Sequence, residues 1–285
     1  MPESVDVVTR TKDRPMFLKR ALADLCTQEN RKFNWIVVND GGDPNNVNVI
    51  VEEALAKNIN VQCIHNKTSA GMEAAGNIGA TAGSAPFIAI HDDDDTWDPN
   101  FLSSMTTSLS QTDAVGVACW TYEIHEEFDG HKISETSKKS SEFCPDTVDI
   151  SSLASRNQFP PIAFLFRRSA YEAVGRFNEA YDVLGDWDFN LRLIQYGRIE
   201  ILREILANYH VRKAGSQNEN SIVSGKMRHL ENAAALRDEY LRKELATGRF
   251  GIGALMAIAA ISENTLSRQS FAKRFSRIQK DLLKK

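Results

Sequence analysis

Phe87-Ile88-Ala89-Ile90-His91-Asp92-Asp93-Asp94-Asp95-Thr96-Trp97-Asp98-Pro99 puts four consecutive carboxylates at the end of an apolar run. Phe87 to Ile90, preceded by Pro86, reads as a short buried strand. Adjacent carboxylates repel and are costly to desolvate, so they persist where a cation or solvent compensates them. Asp98 suits an N-cap and Pro99 the first turn of a following helix. The acidic run therefore sits at the carboxyl end of a strand, where open α/β sheets bind ligands. In an extended stretch, residues i and i+2 share a face, so Asp92 and Asp94 can aim at one metal. A ligand set of oxygens suits Mg2+ or Mn2+. Taken alone, the run reads equally well as a solvated acidic turn.

On the N-terminal side, short apolar runs alternate with helical patterns. Val5-Asp6-Val7-Val8 is a strand candidate, and Pro15 opens a helix with Phe17, Leu18, Ala21, Leu22 and Leu25 on one face. Trp35 to Val38 is the next strand, and Asp40-Gly41-Gly42-Asp43-Pro44 is turn chemistry. Val47 to Ala56 reads as a helix, Val61 to Ile64 as a strand, and Gly71 to Ala82 as a helix of small residues. This alternation predicts parallel βαβ units with right-handed crossovers. Beyond the acidic run, Val115 to Tyr122, Ile162 to Phe166 and Ile199 to Leu202 read as strands. Glu123 to Pro145 reads as a hairpin or flap, and Asp188 to Gln195 as a helix. From Ile222 onward the pattern is helical.

The bulk numbers exclude several classes. The chain has 285 residues, 42% hydrophobic and 25% charged, with a formal net charge of -4. That is ordinary for a soluble globular protein and gives no sign of a general nucleic-acid binder. Cys26, Cys63, Cys119 and Cys144 form no C-x-x-C pair and read as cytosolic thiols rather than a zinc site or disulfide framework. The N-terminus lacks a signal-peptide core, and the longest apolar stretch, Phe250 to Ile261, is too short to span a bilayer. A cytoplasmic address is expected. Ser267 to Lys285 carries Arg268, Lys273, Arg274 and Arg277 around a stripe of Phe271, Phe275, Ile278 and Leu282. Such a helix either packs its stripe on the domain or lies on the anionic inner face of the cell membrane as a peripheral contact.

Together these pieces resemble an inverting glycosyltransferase of family 2, with the nucleotide-sugar-binding GT-A fold. The resemblance rests on Val5-Asp6-Val7-Val8-Thr9-Arg10-Thr11 with Arg14-Pro15, and on Asp40 in Val37-Val38-Asn39-Asp40-Gly41-Gly42. It rests also on Gly71-Met72-Glu73-Ala74-Ala75-Gly76-Asn77, a D-x-D-D-x-W motif at Asp92 to Trp97, and an E-D-like motif at Gly185-Asp186-Trp187-Asp188. His210 lies in Tyr209-His210-Val211-Arg212. Departures are Gly76 for the usual Arg before Asn77, Gly185 for the usual Glu before Asp186, His91 for an apolar residue, and the inverted order around His210. The resemblance covers about residues 4–222. It implies an α/β fold with a mixed, mostly parallel sheet flanked by helices: a catalytic domain at 1–222 and a C-terminal helical extension at 223–285.

The resemblance also implies site roles. Thr9, Arg10, Thr11, Arg14, Asp40, Gly71, Asn77, Asp92 and Asp93 would line the nucleotide sugar. Asp92, Asp94 and His210 would hold Mn2+ or Mg2+, which acts as a Lewis acid on the departing diphosphate. Asp40 can accept from a base N–H, which favours a UDP-sugar; its plainer reading is a turn-forming residue. Asp186 is the expected general base, with Asp188 its competitor, and the transition state is oxocarbenium-like. Trp187 reads as packing. His210, Arg212 and Ser216 form a candidate strap over the diphosphate. The expected partners are a nucleotide-sugar donor and a glycan or lipid-linked acceptor, as in bacterial surface polysaccharide synthesis. A nucleotidyltransferase is the main rival, but Thr9-Arg10-Thr11-Lys12-Asp13-Arg14 lacks the glycines of a triphosphate loop. An inactive nucleotide-binding homologue is the other rival, and the intact Asp92, Asp94 and Asp186 argue against it.

Overall fold

The predicted βαβ alternation is present, and it sets the sheet. The computed structural model describes residues 3–129, 131–141, 144–212 and 226–262. Strands β1 (Val5–Thr11), β2 (Phe33–Asp40), β3 (Val61–Asn66) and β4 (Phe87–Ile90) are mutually parallel in the order β3-β2-β1-β4. The chain moves outward from β1 to β3 and then returns to the other side of β1. The order therefore reverses between β1 and β4, and a crevice opens beyond their carboxyl ends.

Helices α1 (Pro15–Thr27), α2 (Pro44–Ala56) and α3 (Met72–Ala82) make the crossovers. The buried face of α1 is the predicted stripe: Phe17, Leu18, Ala21, Leu22 and Leu25. Helix α2 starts before its apolar periodicity because Pro44 occupies the first turn and the Asp43 carboxylate accepts from Asn45 N–H. Helix α3 is rich in small residues because it lies close against the sheet. A methyl group added at Gly79 would run into Val8.

The acidic run departs from its predicted geometry. Asp95 N–H bonds to Asp92 O at 3.3 Å, so residues 92–95 form a turn rather than an extended stretch. The helix expected at Asp98 begins later, as α4 (Phe101–Ser110). Asp98 instead accepts from Asn100 N–H at 3.0 Å, a side-chain turn that competes with helix. Thr96–Trp97 forms a short strand, β5, which carries too few residues to show a period.

The rest of the sheet is mixed. Strand β6 (Gly116–Phe128) and strand β7 (Ile133–Ser140) form the hairpin within the polar segment. Strand β8 (Phe164–Arg167) joins β4 to β6, antiparallel to both. Strand β9 (Ile199–Arg212) runs parallel to β6 and antiparallel to β5. It extends well past the predicted Ile199 to Leu202, because beyond the buried Leu206 and Ala207 the residues buried as it pairs along β6 include His210 and Arg212, which carry no apolar period. Short helices α5 (Ile150–Ser155) and α6 (Arg168–Ala173) precede α7 (Gly185–Tyr196).

Helix α8 (Lys226–Thr247) packs onto α7: Leu236 is buried and Tyr240 Oη donates to Asp188 Oδ1 at 2.8 Å. Residues 252–262 are helical, with Ile252 and Met256 buried. Among the described residues no helix is long and apolar enough to cross a membrane. The four cysteines are free thiols. The boundary expected near residue 222, Ser216 and the basic segment Ser267 to Lys285 lie outside the described residues.

Candidate active site

The crevice beyond β1 and β4 holds two cavities that share a wall. The wider, about 410 Å³, is polar and lined by Arg14, Asp40, Ser69, Gly71 and Asp94 among others. The narrower, about 130 Å³, is walled by Phe159, Phe164, Phe166, Phe177 and Phe189 and contains Glu73, Asp186 and His229. Arg10, Met72, Asp92, Asp95 and Tyr209 line both.

Arginines neutralise the acidic turn from below and beside it. Arg10 grips Asp92 with two nitrogens, Nε to Oδ1 at 2.9 Å and Nη2 to Oδ2 at 2.8 Å. Asp93 is fully buried and takes Thr11 Oγ1 at 2.7 Å together with Arg14. Burial and the neighbouring Asp94 charge push the Asp93 carboxyl up, with Arg14 opposing. Burial would also raise Asp94, but Arg14 and then Arg212 outweigh it and hold that carboxyl well below the usual range. Asp95 accepts from His210 N–H at 2.8 Å, and its carboxyl is raised by burial and by Asp94.

Beneath Asp94 lies an ionic network. Arg212, 0% exposed, reaches Asp94 and, at 2.8 Å, Glu126 Oε1. Glu126 also takes Arg20 at 2.8 Å and His210 Nδ1 at 2.9 Å. Burial works against its ionisation, yet His210 and Arg20 hold its carboxyl at about 2.

Several expected site residues are spent elsewhere. Both ring nitrogens of His210 are engaged, Nδ1 with Glu126 and Nε2 with Thr96 Oγ1 at 3.0 Å. Burial lowers its pKa, and it is not among the residues lining either cavity. His210 thus supports the acidic turn from β9 and presents no free nitrogen to a cation. Thr9 is fully buried, and its Oγ1 accepts from Trp35 Nε1 at 2.8 Å. Asn77 is a staple: it bonds Phe177 O and N, Glu179 and Tyr171 Oη. Neither Thr9 nor Asn77 is among the cavity-lining residues, because strand and helix twist turn them inward.

The remaining candidates meet at the crevice. Arg10, Thr11, Arg14, Asp40, Gly71, Asp92 and Asp94 line the wider cavity, and Asp186 lines the narrower. Asp93 sits under them. Asp40 accepts four hydrogen bonds, from Asn66, Ser69, Ala70 N–H and Gly71 N–H. Burial raises its pKa, but these donors overcome that and lower it. It shapes the loop into α3, where Gly71 (φ 98°) makes a turn that side chains disfavour.

Asp186 opens α7 and accepts from Asn157 Nδ2 at 2.7 Å. Burial raises its carboxyl above the usual carboxylate range. Asp188 is bound to Arg192 at 2.7 Å and to Tyr240, so it ties α8 to α7. Trp187 is buried and donates to Leu153 O at 2.7 Å, as packing. His91 is buried against Asp24 at 2.9 Å and stands edge-on to Trp97, fastening the end of β4 to α1.

Glu73, His229 and Tyr209 were not singled out from sequence. Glu73 has a carboxyl that burial pushes up to about 7, against the pull of Arg10. His229 Nε2 is buried with no hydrogen-bond partner among the described residues. The Gly-for-Glu departure at Gly185 was a signal that could have raised Glu73.

An acid-tipped crevice at the switch point of such a sheet is the arrangement of the GT-A fold. The chain belongs to glycosyl transferase family 2, whose family model matches residues 6–175. An uncharacterized glycosyltransferase of Bacillus subtilis (strain 168), YwdF, is 23% identical over 248 residues, 87% of this chain and 88% of that protein. Among solved structures, S. aureus TarS 1-349 in complex with UDP-GlcNAc has TM-score 0.61 at 16% identity, over 75% of this chain. This chain spans 60% of that fragment. The mannosyltransferase PcManGT from Pyrobaculum calidifontis, in complex with GDP-Man and Mn2+, has TM-score 0.60 at 16% identity, over 92% of this chain and 80% of that one.

Proposed function

We propose that this chain transfers a sugar from a nucleoside-diphosphate donor, a UDP-sugar, to a hydroxyl of a glycan or lipid-linked acceptor, with inversion. The observation that carries the proposal is the shared wall: a polar, acid- and arginine-lined cavity opens onto an aromatic one that holds Asp186. Solved neighbours that hold UDP-GlcNAc or GDP-Man with Mn2+ support a nucleotide-sugar donor.

In this reading the acidic turn takes a hard divalent cation, Mn2+ or Mg2+, although no three His, Cys, Asp or Glu side chains among the described residues converge as a ready-made set and Arg10 occupies both Asp92 oxygens. Asp92 and Asp94 both face the wider cavity, and every hydrogen bond to the Asp94 carboxylate among the described residues falls on Oδ2, leaving Oδ1 to a further ligand. Bound there, the cation would offset the charge that develops on the leaving diphosphate. His210 drops out of this set, for the reason given above.

The chain's own groups do the rest. Arg10 and Arg14 line the same cavity and place positive charge beside the diphosphate, while their N–H groups are held largely by Asp92, Asp93 and Asp94. The loop that Asp40 holds forms the nucleoside end, and Thr11 and Arg14 keep Asp93 compensated beneath it. Asp186 takes the proton of the acceptor hydroxyl, and the aromatic wall excludes water from the attacking face. Attack opposite the diphosphate inverts the anomeric centre. In this reading the reaction belongs at the cytoplasmic face of the membrane, in surface-polysaccharide synthesis, with the basic segment Ser267 to Lys285 as a peripheral contact.

Purified protein with Mn2+ and a panel of UDP-glucose, UDP-galactose, UDP-GlcNAc and GDP-mannose tests the proposal. Slow metal-dependent release of UDP is expected. Turnover of a nucleoside triphosphate with release of pyrophosphate, and none of the sugar nucleotides, would refute it.

A further inference from the structure

Glu73 is an acid that the dipole of α3 favours but that no hydrogen bond among the described residues holds. It stands in the first turn of α3, is 5% exposed, and lines the aromatic cavity that holds Asp186. Among the described residues its carboxylate accepts no hydrogen bond; its one ion pair is with Arg10, at 4.0 Å. Arg10 is committed elsewhere, through Nε and Nη2 to Asp92 and through Nη1 to Met72 O. A largely buried carboxylate without donors is penalised, and a ligand hydroxyl entering the cavity would supply one.

The neighbouring backbone is adapted to this side chain. A methyl group added at Gly185 would fall on the Glu73 carboxyl group, so the glycine before Asp186 leaves the space that Glu73 fills. Glu73 does not serve as a cap for α7: the N-cap is Leu184, with no side-chain cap bond, and no α7 N–H donates to Glu73. The departure from the E-D pattern at Gly185 is thus matched in space by an acid from α3.

We propose that Glu73 is a sugar-binding residue of the transfer site, supplying from α3 a carboxylate beside Asp186 that accepts a hydroxyl of the sugar bound in the aromatic cavity. This inference rests on the glycosyltransferase reading above. A carboxylate accepts strongly from hydroxyl groups, and an aromatic wall suits the apolar face of a sugar ring. The hydroxyl belongs either to the donor sugar or to the acceptor, and the two are separable by assay. The charged and titratable groups facing Glu73 are Arg10 from β1, Asp92 from the acidic turn, and Asp186 and Asp188 from α7. His229 of α8 closes the same cavity.

The test compares Glu73→Ala, Glu73→Gln and the relocated carboxylate Glu73→Ala/Gly185→Glu. Readouts are UDP affinity, UDP release from the four sugar nucleotides with Mn2+, and transfer to octyl glycosides. UDP affinity should stay within about twofold, while turnover in Glu73→Ala falls about 10- to 100-fold, the usual worth of a hydrogen bond to a charged group. Glu73→Gln should fall in between, and relocation should restore most of the loss, which a packing role would not produce. Loss already present without acceptor assigns the hydroxyl to the donor sugar; loss seen only with octyl glycosides assigns it to the acceptor. Wild-type turnover in folded Glu73→Ala, with and without acceptor, would overturn the inference alone. Wild-type protein that binds no nucleotide would overturn the proposed function and this inference with it.

Discussion

Replacing Arg212 by Met should expose how much the acidic turn depends on the ions beneath it. The guanidinium is fully buried, bonds both Asp94 and Glu126, and lies 4.6 Å from the Phe17 ring centroid. Methionine keeps the stem but leaves two buried carboxylates short of a cation. Removing one partner of a buried pair costs about 3–5 kcal/mol. Here each acid keeps another cation: Arg14 is 3.2 Å from Asp94, and Arg20 is 2.8 Å from Glu126. The lower end, about 3 kcal/mol, is therefore expected, which for a chain of this size lowers Tm by roughly 6–12 °C. The acid limb should shift as well. The Asp94 carboxyl is held low, so its share of stability is present above the ordinary Asp value of about 3.9 and is lost as pH falls toward its folded pKa, about 2. Without Arg212 the folded pKa rises toward the unfolded one, so this contribution shrinks, and the less stable variant should unfold at higher pH. Differential scanning calorimetry and acid titration by circular dichroism would measure both. A Tm within about 2 °C of wild type, well under the roughly 6–12 °C expected, with an unmoved acid midpoint, would refute the view that Arg212 carries the charge of Asp94 and Glu126.

Asp94→Ala should lose the Mn2+-dependent part of UDP affinity measured by calorimetry, and retained metal-dependent affinity would reject its placement at the cation. Asp186→Asn should keep UDP affinity but lower transfer about 10²- to 10⁴-fold. Full transfer would move the base role to another residue. Because burial raises the Asp186 carboxyl and the base must be ionised, transfer by the wild type should rise with pH through that folded value; a flat profile would count against it. Asn77→Ala should leave Phe177 N–H and Tyr171 Oη without their acceptor, costing about 1–3 kcal/mol for a buried donor. UDP affinity measured on the folded variant should be unchanged, and a large loss would return Asn77 to the nucleotide site.

Much of the frame was legible because period and burial coincide. The apolar stripe of α1 and the bounds of β4 follow from spacing alone, since α1 buries one continuous face and β4 is buried on both. The acidic turn could be placed at a strand end from its flanks, and Asp92, Asp94 and Asp186 do reach one crevice. Thr9, Asn77 and His210 were read as ligands because the family resemblance implied those roles for their positions. Their side chains are instead taken by Trp35, by the Phe177 segment and by Glu126. A hydrogen-bonding side chain serves structure and ligand through the same atoms, so its sequence context does not distinguish the two uses.

Local order along the chain settled most of the segments that become strands and helices, and the run of four acids marked where the crevice would open, since charge and apolar period are carried by neighbouring residues. Only the folded chain decided how that charge is balanced. Arg212 lies 118 positions from Asp94, and Glu73 lies far from Gly185 in the chain yet fills the space beside it. Such pairings depend on which strands lie side by side and on the twist between them, and electrostatic compensation acts through space.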